Sequence, residues 1–169
     1  MKKNLTLTGM MGVGKSTIGK AISKQLSMQF VDIDRIIEKK LKLTVQKIFK
    51  QKGEAFFREL EEKVTLHEIK KKNRVISLGG GAFMNTKIRE CVILDTKSFW
   101  LYLDINLLEK RLINSKKRPL LVNSNIKIDL EKLYKERMNT YSLANYKIDC
   151  NNLTANLIIK KIITLYEND

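Results

Sequence analysis

The sequence predicts an α/β fold: a parallel sheet flanked by helices on both faces. Three observations carry that expectation. Short apolar stretches alternate with amphipathic helical stretches along the chain. A glycine-rich loop joins the first apolar stretch to the first helix. Acidic and glycine motifs fall just beyond the ends of apolar stretches, where ligands bind in sheets of this kind. With 169 residues and no linker, repeat or low-complexity block, the chain reads as a single domain over residues 1–169.

Taken in order, Asn4 to Thr8 reads as a buried first strand, and Lys15 to Ser27 as the helix after the glycine loop. Phe30 to Asp32 is a second strand, followed by helical periodicity from Asp34 to about Lys42. Thr44 has the chemistry of an N-cap for a short helix ending near Gly53. Glu54 to Lys72 is a long amphipathic helix, with Phe56, Phe57, Leu60, Val64 and Leu66 set between charges. Val75 to Leu78 is an apolar strand running into Gly79–Gly81, and Phe99 to Leu103 is the fourth strand. Leu107 to Ile113 is helical. Asn114 to Asn125 is polar and basic, holds the only proline, Pro119, and reads as a loop. Ile128 to Leu143 is helical, Tyr146 to Asp149 is a last short strand, and Leu153 to Tyr166 closes the chain as a helix.

Composition narrows the partners. Lys and Arg number 33 against 18 Asp and Glu, a formal net charge of +15. The lysines are spread along the chain, and the longest basic run, Lys70 to Lys72, sits beside a helix end that favours positive charge. No zinc-finger spacing or RNA-binding aromatic signature accompanies them, so a solvated lysine-rich surface is favoured over a nucleic-acid partner. No apolar run approaches a membrane span, and the N-terminus lacks the apolar segment and cleavage site of a signal peptide. Cys91 and Cys150 have neither metal nor redox spacing and read as core thiols in a reducing compartment. The expectation is a cytoplasmic monomer. Only seven basic residues are Arg: 35, 58, 74, 89, 111, 118 and 137. In a chain that defaults to Lys, these are the candidate positions for a planar guanidinium, which grips carboxylate or phosphate with two parallel hydrogen bonds.

The loop itself is GMMGVGKST, Gly9 to Thr17, and Gly9-x4-Gly14-Lys15-Ser16 matches the phosphate-binding pattern G-x-x-x-x-G-K-[ST] between a strand and a helix. Backbone N–H groups of Gly12, Val13, Gly14, Lys15, Ser16 and Thr17 would cradle phosphate at the helix N-terminus. Lys15 would reach the β- and γ-phosphates, and the Ser16 hydroxyl would ligate Mg²⁺. A motor-type ATPase or GTPase would carry a magnesium-binding Asp after a further hydrophobic strand, but Val75 to Leu78 ends in three glycines. The acids stand instead at Asp32 and Asp34. Asp32 is then the metal's carboxylate, directly or through water. Asp34 is left either to cap the following helix or to receive the hydrogen bond of a substrate hydroxyl, and spacing alone leaves both open. Gly79–Gly81 suits close backbone approach of a small ligand, as well as a simple tight turn. His67, on the long helix and away from every motif, reads as structural or surface.

Together, GMMGVGKST, FVDID, GEAFFRELE (Gly53 to Glu61), SLGGG and RPLL (Arg118 to Leu121), in this order and spacing, resemble the shikimate kinase family over nearly the whole chain. The resemblance implies a five-stranded parallel sheet of order 2-3-1-4-5 and a mobile lid over about residues 114–125. It implies that Asp34 binds the ring hydroxyls and that Arg58 and Arg137 grip the substrate carboxylate. Gly79, Gly80 and Gly81 would meet substrate through the backbone. Arg111 would pack on adenine, and Arg118 on the lid would reach the phosphates. Glu61, one turn beyond Arg58, has the spacing to hold that guanidinium in place. Arg35, Arg74 and Arg89 are left as surface residues. The expected catalytic set is Lys15, Asp34 and Arg118, with Ser16 and Asp32 on Mg²⁺. ATP and shikimate are the expected small-molecule partners, with neither nucleic acid nor membrane. Two other classes stay open on the residues alone: a small kinase for gluconate or a nucleotide, and a non-enzymatic nucleotide- or nucleic-acid-binding module.

Overall fold

The computed structural model describes residues 2–113 and 126–168. The elements run β1 (Asn4–Thr8), α1 (Lys15–Gln25), β2 (Gln29–Asp32), α2 (Ile33–Leu41), α3 (Val45–Ile69), β3 (Arg74–Ser77), a 3₁₀ turn (Ala82–Met84), α4 (Thr86–Asp95), β4 (Thr96–Tyr102), α5 (Ile105–Ile113), α6 (Ile126–Tyr141), β5 (Tyr146–Asp149) and α7 (Ala155–Glu167). The strands form one sheet in the order β2-β3-β1-β4-β5, and every pairing is parallel. β1 is central, with Leu7 opposite Ser77 on one side and Phe99 on the other. Both of its faces are covered, so all five of its residues are buried, threonines included.

The helices cover the sheet through short apolar stripes. Ile18 and Ile22 of α1 and Ile158, Ile159 and Ile162 of α7 are buried. α3 bends at Gly53, whose φ of 81° and ψ of 165° are non-helical, so the two helical segments read from the sequence meet there in a single kinked element. Thr44 caps its start by accepting from the Lys47 N–H. Past the kink the buried face is Phe57, Glu61, Val64, Thr65, Glu68 and Ile69. Phe56, expected in that stripe, lies exposed with the Lys52 ammonium over its ring.

Several expectations need correction. α4, capped by Asn85, occupies a stretch to which the sequence reading assigns no element. Only Ile88 and Val92 of it are buried, too few to register as a periodic stripe. β4 begins at Thr96 rather than Phe99, because its polar first residues are buried with their own partners. Ser98, for example, donates from both its backbone N–H and its hydroxyl to Asn145 Oδ1. The cap of α2 is Asp32, which accepts from the Arg35 N–H, and Asp34 lies inside the first turn. Arg74 is not a surface residue: it pairs with buried Glu68. Arg89 donates to the carbonyls of Phe83 and Met84. Cys150 is a core thiol, whereas Cys91 is half-buried. The expected lid, residues 114–125 with Arg118, lies outside the described residues. Among the described residues no helix is long and apolar enough to cross a membrane.

Candidate active site

Three chain segments leave the carboxyl edge of the sheet side by side, because the strand order sets β2, β3 and β1 next to one another. They are the phosphate loop after β1, Asp32 to Asp34 after β2, and Gly79–Gly81 after β3. Between them and the helices α3 and α6 lies a cleft of about 540 Å³. Gly12, Gly14, Lys15, Ser16, Thr17, Asp32, Asp34, the three glycines and Arg137 all line it.

The loop geometry follows from its glycines. Gly9 has a φ of 135°, and a Cβ there would lie 2.6 Å from the Leu101 carbonyl oxygen, so no larger residue fits. Gly14, at φ 105°, is the N-cap of α1 and leaves the first turn's N–H groups facing the cleft. Lys15 is buried, and its ammonium donates to the carbonyls of Gly9 at 2.7 Å and Met10 at 3.0 Å. The Ser16 hydroxyl donates to Asp32 Oδ2 at 2.6 Å, which fastens α1 to the end of β2. Arg111, on α5, donates to the Val13 carbonyl at 3.2 Å, so it braces the loop from behind.

The opposite wall is built on α3 and α6. Arg58 donates to Glu61 Oε2 at 2.7 Å and, through Nε and NH2, to Glu54 Oε1 at 3.1 and 3.0 Å. Its guanidinium also lies over the rings of Phe49 and Phe57. Burial works against its charge, but Glu61 and Glu54 outweigh that and raise its pKa. Glu61 is 1 % exposed, and its Oε1 has no hydrogen-bond partner among the described residues. Arg137, buried on α6, donates to the Gly80 carbonyl at 3.1 Å.

The glycine turn sits in the middle of these charges. A Cβ on Gly79 would lie 2.6 Å from Glu61 Oε1 and 2.7 Å from Asp34 Oδ1. One on Gly81 would lie 2.6 Å from both terminal nitrogens of Arg58. One on Gly80 would meet Met11 N and Arg137 NH1, each at 3.5 Å. Side chains from several elements thus close on a turn that offers only backbone. Asp34 is half-buried beside this turn. Burial, reinforced by Glu61 and Asp32 and opposed by Lys15, pushes its carboxyl up to about 7. A carboxyl with that pKa can accept or return a proton near neutrality.

Of the expected site residues, Gly12, Gly14, Lys15, Ser16, Thr17, Asp32, Asp34, Gly79, Gly80, Gly81 and Arg137 line the cleft. Arg58 stands against Gly81, Arg111 and Val13 are joined to each other outside the cleft lining, and Arg118 lies outside the described residues. The sequence reading passed over Tyr141, whose hydroxyl also donates to the Gly80 carbonyl. Its signal was the four-residue spacing from Arg137, which puts both on one helical face.

The comparisons with known proteins point to one family. The family model for shikimate kinase matches residues 11–167. The chain is 40% identical over 162 residues to the shikimate kinase of Sulfurihydrogenibium sp. (strain YO3AOP1), covering 96% of each. A shikimate kinase from Acinetobacter baumannii, solved in complex with shikimate, superposes with a TM-score of 0.95 at 33% identity over 99% of this chain and 94% of that one. The enzyme from Aquifex aeolicus superposes at 0.85 with 32% identity, over 98% and 96%. The family model over residues 11–167 and a relative 40% identical over 96% of both chains show that this chain, with its phosphate loop and a glycine turn met by Arg58 and Arg137, belongs to the shikimate kinase family.

Proposed function

We propose that this protein transfers the γ-phosphoryl group of ATP to the 3-hydroxyl of shikimate, giving shikimate 3-phosphate and ADP. The observation that carries the reading is the two-sided cleft. One wall is a phosphate loop. The other is the turn Gly79–Gly81, which cleft-lining Arg137 meets at Gly80 and Arg58 meets at Gly81, with Asp34 also lining the cleft. A ring bearing one carboxylate and three hydroxyls needs that set: forked cations, one acceptor and backbone donors.

Phosphoryl transfer depends on alignment and charge neutralisation more than on covalent chemistry. The N–H groups of Gly12 to Thr17 hold the phosphates, and Lys15 exchanges its two loop carbonyls for phosphate oxygens. Arg111 braces the loop at Val13 and is the residue assigned to adenine. Arg118 is assigned to the phosphates. Arg58 and Arg137 hold the carboxylate, and Asp34 orients the attacking hydroxyl and takes its proton.

The Ser16 hydroxyl and the Asp32 carboxylate form an oxygen donor pair suited to a hard cation. Among the described residues no cluster of three acidic, His or Cys side chains offers a complete metal cage. That suits Mg²⁺, which takes one or two protein oxygens and completes its shell with phosphates and water. When bound, Mg²⁺ neutralises charge on the β- and γ-phosphates.

The deciding experiment is ADP release from Mg·ATP by the purified protein with and without shikimate. A large rise with shikimate, absent with quinate or gluconate, establishes acceptor and reaction together. No rise, with ATP still bound, would keep the phosphate loop and return the acceptor to question.

A further inference from the structure

Tyr141 has no role in the reaction as described, yet among the described residues it is the largest fully buried side chain. It ends α6 one turn after Arg137, so both side chains leave the same face of the helix. Its hydroxyl donates to the carbonyl oxygen of Gly80, the same oxygen that receives Arg137 NH1 at 3.1 Å. A carbonyl has two lone pairs, and here both donors come from one helix. The ring is clamped as well. It stacks on Phe83 with centroids 6.4 Å apart and on Trp100 at 6.2 Å, and the hydroxyl lies 3.9 Å from the sulfur of Met10.

We propose that Tyr141 is a positioning residue: its hydroxyl holds the Gly80 carbonyl against α6, so that Arg137 can turn to an anionic ligand without leaving that carbonyl unpaired. The inference rests on the reading of the cleft as the shikimate site. Arg137 donates to a backbone oxygen of the turn. A carboxylate arriving in the cleft competes for the same guanidinium. Were Arg137 its only donor, a guanidinium that turned its NH1 edge to the ligand would leave the Gly80 carbonyl without a partner, and an unpaired buried acceptor is costly. The Tyr141 bond removes that cost.

It also fixes the peptide. The Gly80–Gly81 unit is planar, so a carbonyl held toward α6 turns the Gly81 N–H the opposite way. Gly81 in turn packs on the Arg58 guanidinium. The hydroxyl thereby sets the spacing between the two arginines through the turn that separates them. Burial pushes the phenol up to about 12, against the pull of Arg137, so it stays a donor at neutral pH.

The test is Tyr141→Phe, which keeps both ring contacts and removes one oxygen. The KM for shikimate should rise roughly tenfold, with the KM for ATP within about twofold and the unfolding midpoint close to wild type. Arg137→Lys, made both alone and together with Tyr141→Phe, should cost less in the double variant than in wild type, because the two side chains serve one carbonyl. An unchanged shikimate KM in Tyr141→Phe would overturn the inference. So would an equal rise in both KM values, which would mark general damage to packing. Wild-type protein that shows no shikimate-dependent ADP release would overturn the shikimate reading itself, and the inference with it.

Discussion

The Ser16 hydroxyl lies 2.6 Å from Asp32 Oδ2, joining the first turn of α1 to the end of β2. Asp32 also caps α2 through its other oxygen. One carboxylate therefore fixes the relative position of two helix N-termini, and its two oxygens do different work. Asp32→Asn keeps an oxygen for the cap but weakens a cation site. The Mg²⁺ concentration for half-maximal activity should rise roughly tenfold or more, with little change in the unfolding midpoint. A magnesium titration at fixed ATP measures this; an unshifted curve would remove Asp32 from the metal site.

Lys15 is the buried cation of the phosphate loop. Lys15→Ala should lower kcat by at least about 100-fold, since a preorganised charge at the transferring group is lost. Steady-state ADP release reads the effect. Near-normal turnover would mean that the loop does not serve catalysis as assigned.

Arg58 and Arg137 present forked donors that an ammonium cannot copy. Arg58→Lys and Arg137→Lys should each raise the KM for shikimate roughly tenfold or more, while the KM for ATP stays within about twofold. If both substitutions leave the shikimate KM in place, the carboxylate site lies elsewhere.

Gly81→Ala would place a methyl group 2.6 Å from the Arg58 guanidinium. The guanidinium is the free end of a long side chain, so the fold should accommodate the change. The arginine would be pushed off its pairing with Glu54 and Glu61, however. We expect a higher shikimate KM with an unfolding midpoint near that of wild type. A lower midpoint with an unaltered KM would show that Gly81 serves the fold instead.

Asp34 has an ordinary value of 3.8 and is raised to about 7 in the folded protein, mainly by burial. Well below pH 3.8 it is protonated in both folded and unfolded chains, and it imposes no penalty. As pH rises through that window the unfolded chain releases the proton first, so folded stability is lost until about pH 7 and the loss is constant above. Asp34→Asn should therefore be more stable than wild type at about pH 8 by roughly 1–3 kcal/mol, and much less so at about pH 5. Urea unfolding without nucleotide or Mg²⁺ checks the sign. An equal difference at both pH values would contradict the assignment.

Much of the fold was legible because β1, β2 and β3 are short stretches built on Leu, Phe, Val and Ile that run into glycine or acidic residues. The phosphate loop was legible because its glycines are demanded by local backbone geometry, as at Gly9 with its φ of 135°. α4 was not, since two buried residues in ten do not make a stripe. The polar start of β4 was hidden because Ser98 satisfies its hydrogen bonds with Asn145, 47 residues away in sequence. Arg74 looked like a surface residue for a different reason: its partner Glu68 is only six residues away, but nothing in the local pattern shows that the end of α3 is buried there.

The sequence by itself determined the strand–loop–helix phosphate site, the parallel α/β class and the few arginines in a lysine-rich chain. Each of these is local chemistry or composition. Family resemblance added the residue roles and the strand order. Only the tertiary structure decided that Asp32, not Asp34, caps α2, which leaves Asp34 to the cleft. It alone showed Glu61 buried beside Gly79, and Arg137 and Tyr141 sharing the Gly80 carbonyl. Those two contacts span 57 and 61 positions of sequence, and no local pattern records them. They exist because β3 lies between β2 and β1, which brings the ends of three strands under α3 and α6. Burial there, rather than residue type, sets the proton affinity of Asp34.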